Sequence, residues 1–275
     1  MANIHQLKLR QLTLILLCAG VVTACASTPD EPVIGKVDVL YNQGMDELQH
    51  GKLEPAIHTF EELERQYPYS GWATRAQMMT AFAQYRGEKY NDAIATIDRF
   101  LRLHPGHEDA DYMYYLKGMS FYARLSNVKR DQGFTTEALK DFEELVRRYP
   151  DSKYARDARL KITLCRDHIA GQEMAVGRFY QKQERYLAAI NRFKEVVDKY
   201  PRTAQVPEAL YRLTESYLSL GLKEQAKKTA AVLGHNYPDT HWYQRAYKLM
   251  TDVDAARPDD TSTLDKVGQG LEDLF

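Results

Sequence analysis

The chain has 275 residues, with 37 basic against 38 acidic side chains and a formal net charge of −1. That balance leaves no electrostatic footprint for nucleic acid. Apolar residues at 44% and charged residues at 27% are the make-up of an ordinary folded protein of one or two domains. The three cysteines, Cys18, Cys25 and Cys165, fit neither a zinc site nor a CxxC redox pair.

Residues 1–24 read as a lipoprotein signal peptide. Lys8 and Arg10 make a basic start, and Leu12 to Val22 is an apolar run too short for a typical transmembrane helix. Val22-Thr23-Ala24-Cys25 then matches a bacterial lipobox. Small residues precede a cut between Ala24 and Cys25, and the Cys25 thiol would take a diacylglyceryl group. The competing reading is a plain secretory signal with Cys25 incidental. Several acyl chains such as palmitate, at about 0.8 kcal/mol per buried CH2, anchor a protein firmly. Ala26 rather than aspartate after the cysteine favours the outer membrane, facing the periplasm. Residues 25–36 would be the lipidated N-terminus and a short tether.

A pattern of small, bulky and proline positions then recurs five times. It reads Ala56, Phe60, Leu63, Pro68; Ala93, Ile97, Phe100, Pro105; Ala138, Phe142, Leu145, Pro150; Ala189, Phe193, Val196, Pro201; and Ala226, Ala230, Leu233, Pro238. Spacings of four and three place the apolar residues on one helix face. The alanine admits a neighbouring helix, and the proline ends the helix before it. This is the second-helix half of a tetratricopeptide repeat. The predicted fold is therefore all-α, a tetratricopeptide-repeat solenoid of five repeats with linking and capping helices. Repeats 1–3 would form an N-terminal block over 37–150. A linking helix from Ser152 to Ile169, repeats 4–5 and a capping helix from His241 would fill 151–255. Residues 256–275 would be a flexible tail. Gly51, Gly87 and Gly221 mark turns within repeats. Repeat 3 is stretched by SNVKRDQGFT before its second helix, expected near Thr136.

First helices line the groove of such a solenoid. The consensus register offers Tyr41 from repeat 1, Arg75, Phe82, Tyr85 and Arg86 from repeat 2, and Tyr112 and Tyr115 from repeat 3. Aromatic and arginine side chains of this kind dominate peptide-binding hot spots, although aromatic stripes at helical spacing also serve cores. No motif carries chemistry. HPGHEDAD, from His104 to Asp111, follows a helix-ending proline and reads as a turn rather than a metal site. There is no G-x-S-x-G, P-loop or Rossmann fingerprint. The reading is non-enzymatic, with no cofactor apart from the lipid on Cys25. Cys165 reads as a small buried hydrophobe.

The lipobox, the five repeats, the stretched third repeat and the extra helix before the fourth together resemble the BamD (ComL) family. These are lipoproteins of the outer-membrane β-barrel assembly machinery. AIATIDRFLRLHPGHEDADYMYYLKGM, YPDSKYARDAR, VGRFYQKQERYLAAINRF and YPDTHWY carry the resemblance, which spans about 32–250. It implies a scaffold whose C-terminal repeats dock on the last POTRA domain of BamA, alongside other Bam lipoproteins. It also implies N-terminal repeats that meet unfolded outer-membrane β-barrel proteins ending in an aromatic residue. Arg192, in the matching AINRF stretch, is the BamA-docking candidate. The alternative is a cell-envelope repeat lipoprotein that organises peptidoglycan or polysaccharide machinery.

Overall fold

The computed structural model describes residues 33–125, 127 and 132–255. Among them eleven helices follow one another without a strand. They are α1 (Val33–Gln49), α2 (Leu53–Gln66), α3 (Gly71–Arg86), α4 (Tyr90–Leu103), α5 (Ala110–Tyr122), α6 (Gly133–Arg148), α7 (Ala155–Lys182), α8 (Tyr186–Lys199), α9 (Val206–Ser219), α10 (Lys223–Asn236) and α11 (His241–Ala255). The chain divides into two compact units, one ending at Ala83 and the other beginning at Gln84.

The prolines act as expected. The last residue before each lies outside helical geometry: Tyr67, His104, Tyr149, Tyr200 and Tyr237 have φ between −126° and −138° and ψ between 49° and 63°. Crowding by the proline ring pushes these residues out of the α region. Each still donates its backbone N–H to the carbonyl four residues back, so the last turn is closed. Two residues after four of the five prolines stands a serine or threonine (Ser70, Ser152, Thr203, Thr240), close to the start of the next helix; after Pro105 it is His107. Ser70 and Thr240 accept the N–H of Ala73 and Tyr243, at 3.1 and 3.3 Å. An oxygen there satisfies a donor that the first helical turn cannot.

In the first unit, α1, α2 and the start of α3 enclose Val37, Leu48, Ala56, Phe60, Leu63, Ala73 and Ala76. In the second, one core joins α6 to the first half of α7 through Phe142, Leu145, Ala158 and Cys165. Another joins the second half of α7 to α8, α9, α10 and α11. Cys165 is fully buried, and burial pushes its thiol up to about 11.

Two expectations change. The linking helix, expected from Ser152 to Ile169, is not a separate element: it starts at Ala155 and continues unbroken into repeat 4 as the 28-residue α7. Nothing between Ile169 and Val176 can stop it, because a mid-helix glycine such as Gly171 costs only about 1 kcal/mol and no proline intervenes. The second helix of repeat 3 starts at Gly133 rather than Thr136. Gly87 lies in the turn of repeat 2, and the residue in the left-handed region there is its neighbour Glu88, φ 59°. Glu184 (φ 58°) holds the matching position in repeat 4, and Gly51 and Gly221 hold it in repeats 1 and 5.

Candidate functional site

The predicted groove residues separate into two sets, one in each unit. In the first unit Tyr41 is half-buried, its ring 5.7 Å from Phe60 and 4.9 Å from Trp72. Burial raises its phenol pKa, with Arg75 opposing. Phe82 also packs on this core. Both rings therefore work largely as helix-to-helix packing. Arg75 is exposed and lies 5.2 Å above the Trp72 ring, a cation–π contact at the surface.

In the second unit the tyrosines gather. Tyr115 stacks on Tyr154 at 5.0 Å with 21° between the rings, and Tyr112 approaches Tyr154 at 5.3 Å. Tyr115 donates its hydroxyl to Asp157 at 2.8 Å. Ser152 donates to Asp111 at 2.6 Å, tying the start of α7 region to α5. Burial raises the pKa of Tyr112 first, then the fields of Tyr154, Tyr85 and Tyr115; burial and the Asp157 hydrogen bond do the same for Tyr115. Tyr85 is half-buried with its ring 5.8 Å from Tyr90, and burial raises its pKa as well. Arg86 is exposed. Phenols held neutral in this way offer stacking faces and hydroxyl donors over a wide pH range. That suits an extended peptide with an aromatic side chain.

Tyr154 and Asp157 complete this cluster, and the sequence reading missed both. They sit at the start of α7, which the repeat register treats as a linker. The available signal was YPDSKYARDAR, whose Tyr-Pro-x-Ser portion recurs as YPYS, YPRT and YPDT at the start of other first helices.

Arg192 lies on α8, half-buried, and pairs with Glu173 of α7 at 3.1 Å. It borders a cleft of about 420 Å³ lined by Tyr180, Arg185, Ala188, Asn191 and Glu195. Ala24 and Cys25 lie outside the described residues, as does most of the stretched segment of repeat 3. His104 and His107 both pack on the Phe100 ring at 5.3 Å. No group of three or more His, Cys, Asp or Glu side chains among the described residues could hold a metal ion. No described helix is long and apolar enough to cross a membrane.

Comparison with known proteins supplies the family. A family model described as YfiO, outer membrane lipoprotein, matches residues 35–233. The outer membrane protein assembly factor BamD of Caulobacter vibrioides is 44% identical over 86% of this chain and 79% of its own length. The BamD of Rickettsia prowazekii is 41% identical over 89% of this chain and 98% of its own. That of Vibrio cholerae is 31% identical over 80% and 96%. At these identities over nearly the whole repeat region, the chain belongs to the BamD (YfiO) family of outer-membrane lipoproteins.

Proposed function

We propose that this chain is a lipid-anchored periplasmic scaffold of the outer-membrane protein assembly complex, docking on BamA and helping to recognise and insert β-barrel proteins. The observation that carries the assembly role is the 44% identity to an outer membrane protein assembly factor over 86% of the chain. The role is one of binding, and the chain is not an enzyme. Lipid on Cys25 would hold it to the inner face of the outer membrane. The tyrosine cluster of Tyr85, Tyr112 and Tyr115 supports client recognition, because stacked and hydrogen-bonding phenols suit the aromatic end of an unfolded barrel protein. Arg86, in the same unit, would add charge complementarity to a peptide carboxylate. The exposed surface around Arg192 is the candidate BamA face.

The test is a mild-detergent pull-down of the full chain from its own outer membrane, with partners identified by mass spectrometry. A stoichiometric barrel protein carrying periplasmic POTRA domains is the expected result. Recovery of cell-wall enzymes alone would replace this reading with a peptidoglycan or polysaccharide scaffold. Cys25→Ala should leave the fold intact and move the protein from the membrane to the soluble fraction; retention at the membrane would refute the anchor.

A further inference from the structure

Helices α7, α9 and α11 of the second unit build a basic–aromatic strip that does not include Arg192, the docking candidate. Its links are continuous. Arg178 of α7 pairs with Glu208 of α9 at 3.1 Å. Arg212 of α9 contacts Glu208 at 3.3 Å and Glu215 at 3.0 Å. The Arg212 guanidinium is 5.8 Å from the Trp242 ring of α11. Trp242 in turn lies 5.3 Å from Tyr211. Arg245 covers both rings, at 4.7 Å from Tyr211 and 5.2 Å from Trp242. A cleft of about 370 Å³ opens between α7 and α9, with Lys182, Tyr186 and Arg212 on its walls.

The charge here is unbalanced. Glu208 and Glu215 are matched by Arg178 and Arg212. Arg245 and Lys182 are exposed and have no ion pair with any described residue. Arg245 is held against two rings and also hydrogen-bonds Tyr211, yet it stays exposed and its charge meets no carboxylate among the described residues. Lys182 ends α7 beside the cleft. A ligand for this strip must bring carboxylates, and apolar groups to cover the half-buried Trp242 and Tyr186.

The chain itself contains such a segment. Residues 256–275 carry five carboxylates (Asp259, Asp260, Asp265, Glu272, Asp273) against Arg257 and Lys266. Leu264, Val267, Leu271 and Leu274 recur at helical spacing among them. The segment follows directly on α11, the helix that carries Trp242 and Arg245. Ten helical residues from Ala255 back to Arg245 span about 15 Å, whereas twenty residues of chain can reach up to roughly 66 Å. Being tethered, the segment would meet the strip at an effective concentration on the order of millimolar, so even weak contacts suffice.

We propose that residues 256–275 dock in cis on this strip, with their carboxylates on Arg245 and Lys182 and their apolar side chains over Trp242 and Tyr186. Any other acidic partner of the strip would have to compete with that segment.

Zero-length carbodiimide coupling tests this on the full chain in mild detergent, using a mixture of light and heavy isotope copies. The expected product is an amide between Lys182 and a carboxylate of 256–275 within one copy. Arg245→Ala should lower its yield about tenfold, while the neighbouring Lys199–Glu195 product stays constant; raising the salt to about 1 M should act in the same direction. Arg245→Lys, which keeps the charge, should restore most of the yield. Helical circular dichroism checks that each variant is folded. The proposal fails if the Lys199–Glu195 amide forms and no Lys182 product does, or if Arg245→Ala leaves the yield unchanged. A product joining a light to a heavy copy would assign the strip to a second molecule instead.

Discussion

In the pair α1–α2 the Phe60 ring lies where Gly44 has no side chain, and in α7–α8 Phe193 lies over Gly177 in the same way. A Cβ at either glycine would sit 2.6 or 2.4 Å from the ring. In both pairs the glycine precedes the phenylalanine by sixteen residues. The residue just before each ring differs. Thr59 is buried and donates its hydroxyl to Glu47 of the preceding helix at 2.8 Å. Arg192 is only half-buried and pairs with Glu173 at 3.1 Å. Position by position, the ring and the glycine are fixed by packing, whereas the residue beside them is free to be a neutral latch in one repeat and a surface charge in another. A docking residue can be placed there without disturbing the helix pair that supports it.

The shared half of the comparison should break equally in both pairs. Phe60→Ala and Phe193→Ala each remove a fully buried ring and should cost about 3–5 kcal/mol. Gly44→Ala and Gly177→Ala force a methyl into the ring and should cost about 1–3 kcal/mol. Gly118 against Phe142, at 2.6 Å, should behave like them. Denaturant unfolding measures all of these. A Gly177→Ala variant as stable as the parent would show that the ring can move aside and that the nest is not a tight fit.

The repeat-3 latch sharpens the comparison, because there the residue before the ring is a buried carboxylate. Asp141 lies 3.4 Å from Lys117, which it shares with Asp98 at 2.9 Å. Its second oxygen is buried without a hydrogen-bond partner. Burial lifts its pKa to about 6 from an ordinary 3.8, against the opposing field of Lys117. The folded chain thus holds this proton more tightly than the unfolded chain. The stability it contributes is full below about pH 4 and is lost as the pH rises through about 6, a change on the order of 3 kcal/mol. Asp141→Asn should remove that slope from a plot of unfolding free energy against pH. An unchanged slope would show that Asp141 binds its proton equally in the folded and unfolded chain, the field of Lys117 cancelling the effect of burial.

The repeat pattern was legible because proline, alanine and bulky apolar residues act locally, through backbone sterics and helix periodicity. Pro68 and Pro201 end their helices by the same clash wherever they stand. The tyrosine cluster was only half legible. Tyr112 and Tyr115 lie in the expected register of α5, but Tyr154 and Asp157 come from a helix that follows a repeat and joins it in space. Tyr41 shows the converse. Its register points to a groove, yet its ring meets Phe60 and Trp72 because helical spacing alone cannot tell a groove face from a packing face. The unbroken α7 was missed for a related reason. The repeat count required a boundary before repeat 4, and the sequence there contains no residue able to make one.

A smaller effect is expected at the turns, where two repeats use glycine and two use glutamate in the left-handed region. Gly51 and Gly221 have φ 74°, and Glu88 and Glu184 have φ 59° and 58°. A side chain in that region costs roughly 1–2 kcal/mol, partly offset by the freedom glycine loses on folding. Glu88→Gly and Glu184→Gly should each stabilise the chain by up to about 1 kcal/mol, read as a higher melting temperature. A lower melting temperature would mean that the glutamate side chains make contacts worth more than the strain.

Arg192→Ala should have the smallest effect on stability and is the most informative about function. The Arg192–Glu173 pair is open to water on the arginine side, and exposed ion pairs contribute about 0.2–1 kcal/mol. Phe193 and Gly177, which hold the helices together, are untouched by the change. Unfolding should therefore shift by less than about 1 kcal/mol. If Arg192 forms part of the BamA face, the same variant should lose BamA from a mild-detergent pull-down while keeping its helical content and its melting temperature. Thr59→Ala, at the same register in repeat 1, should do the reverse: it leaves Glu47 without its hydroxyl partner and weakens the fold by about 1 kcal/mol, with BamA retained. If Arg192→Ala instead lowers stability and leaves BamA bound, Arg192 is a latch like Thr59 and not a docking residue.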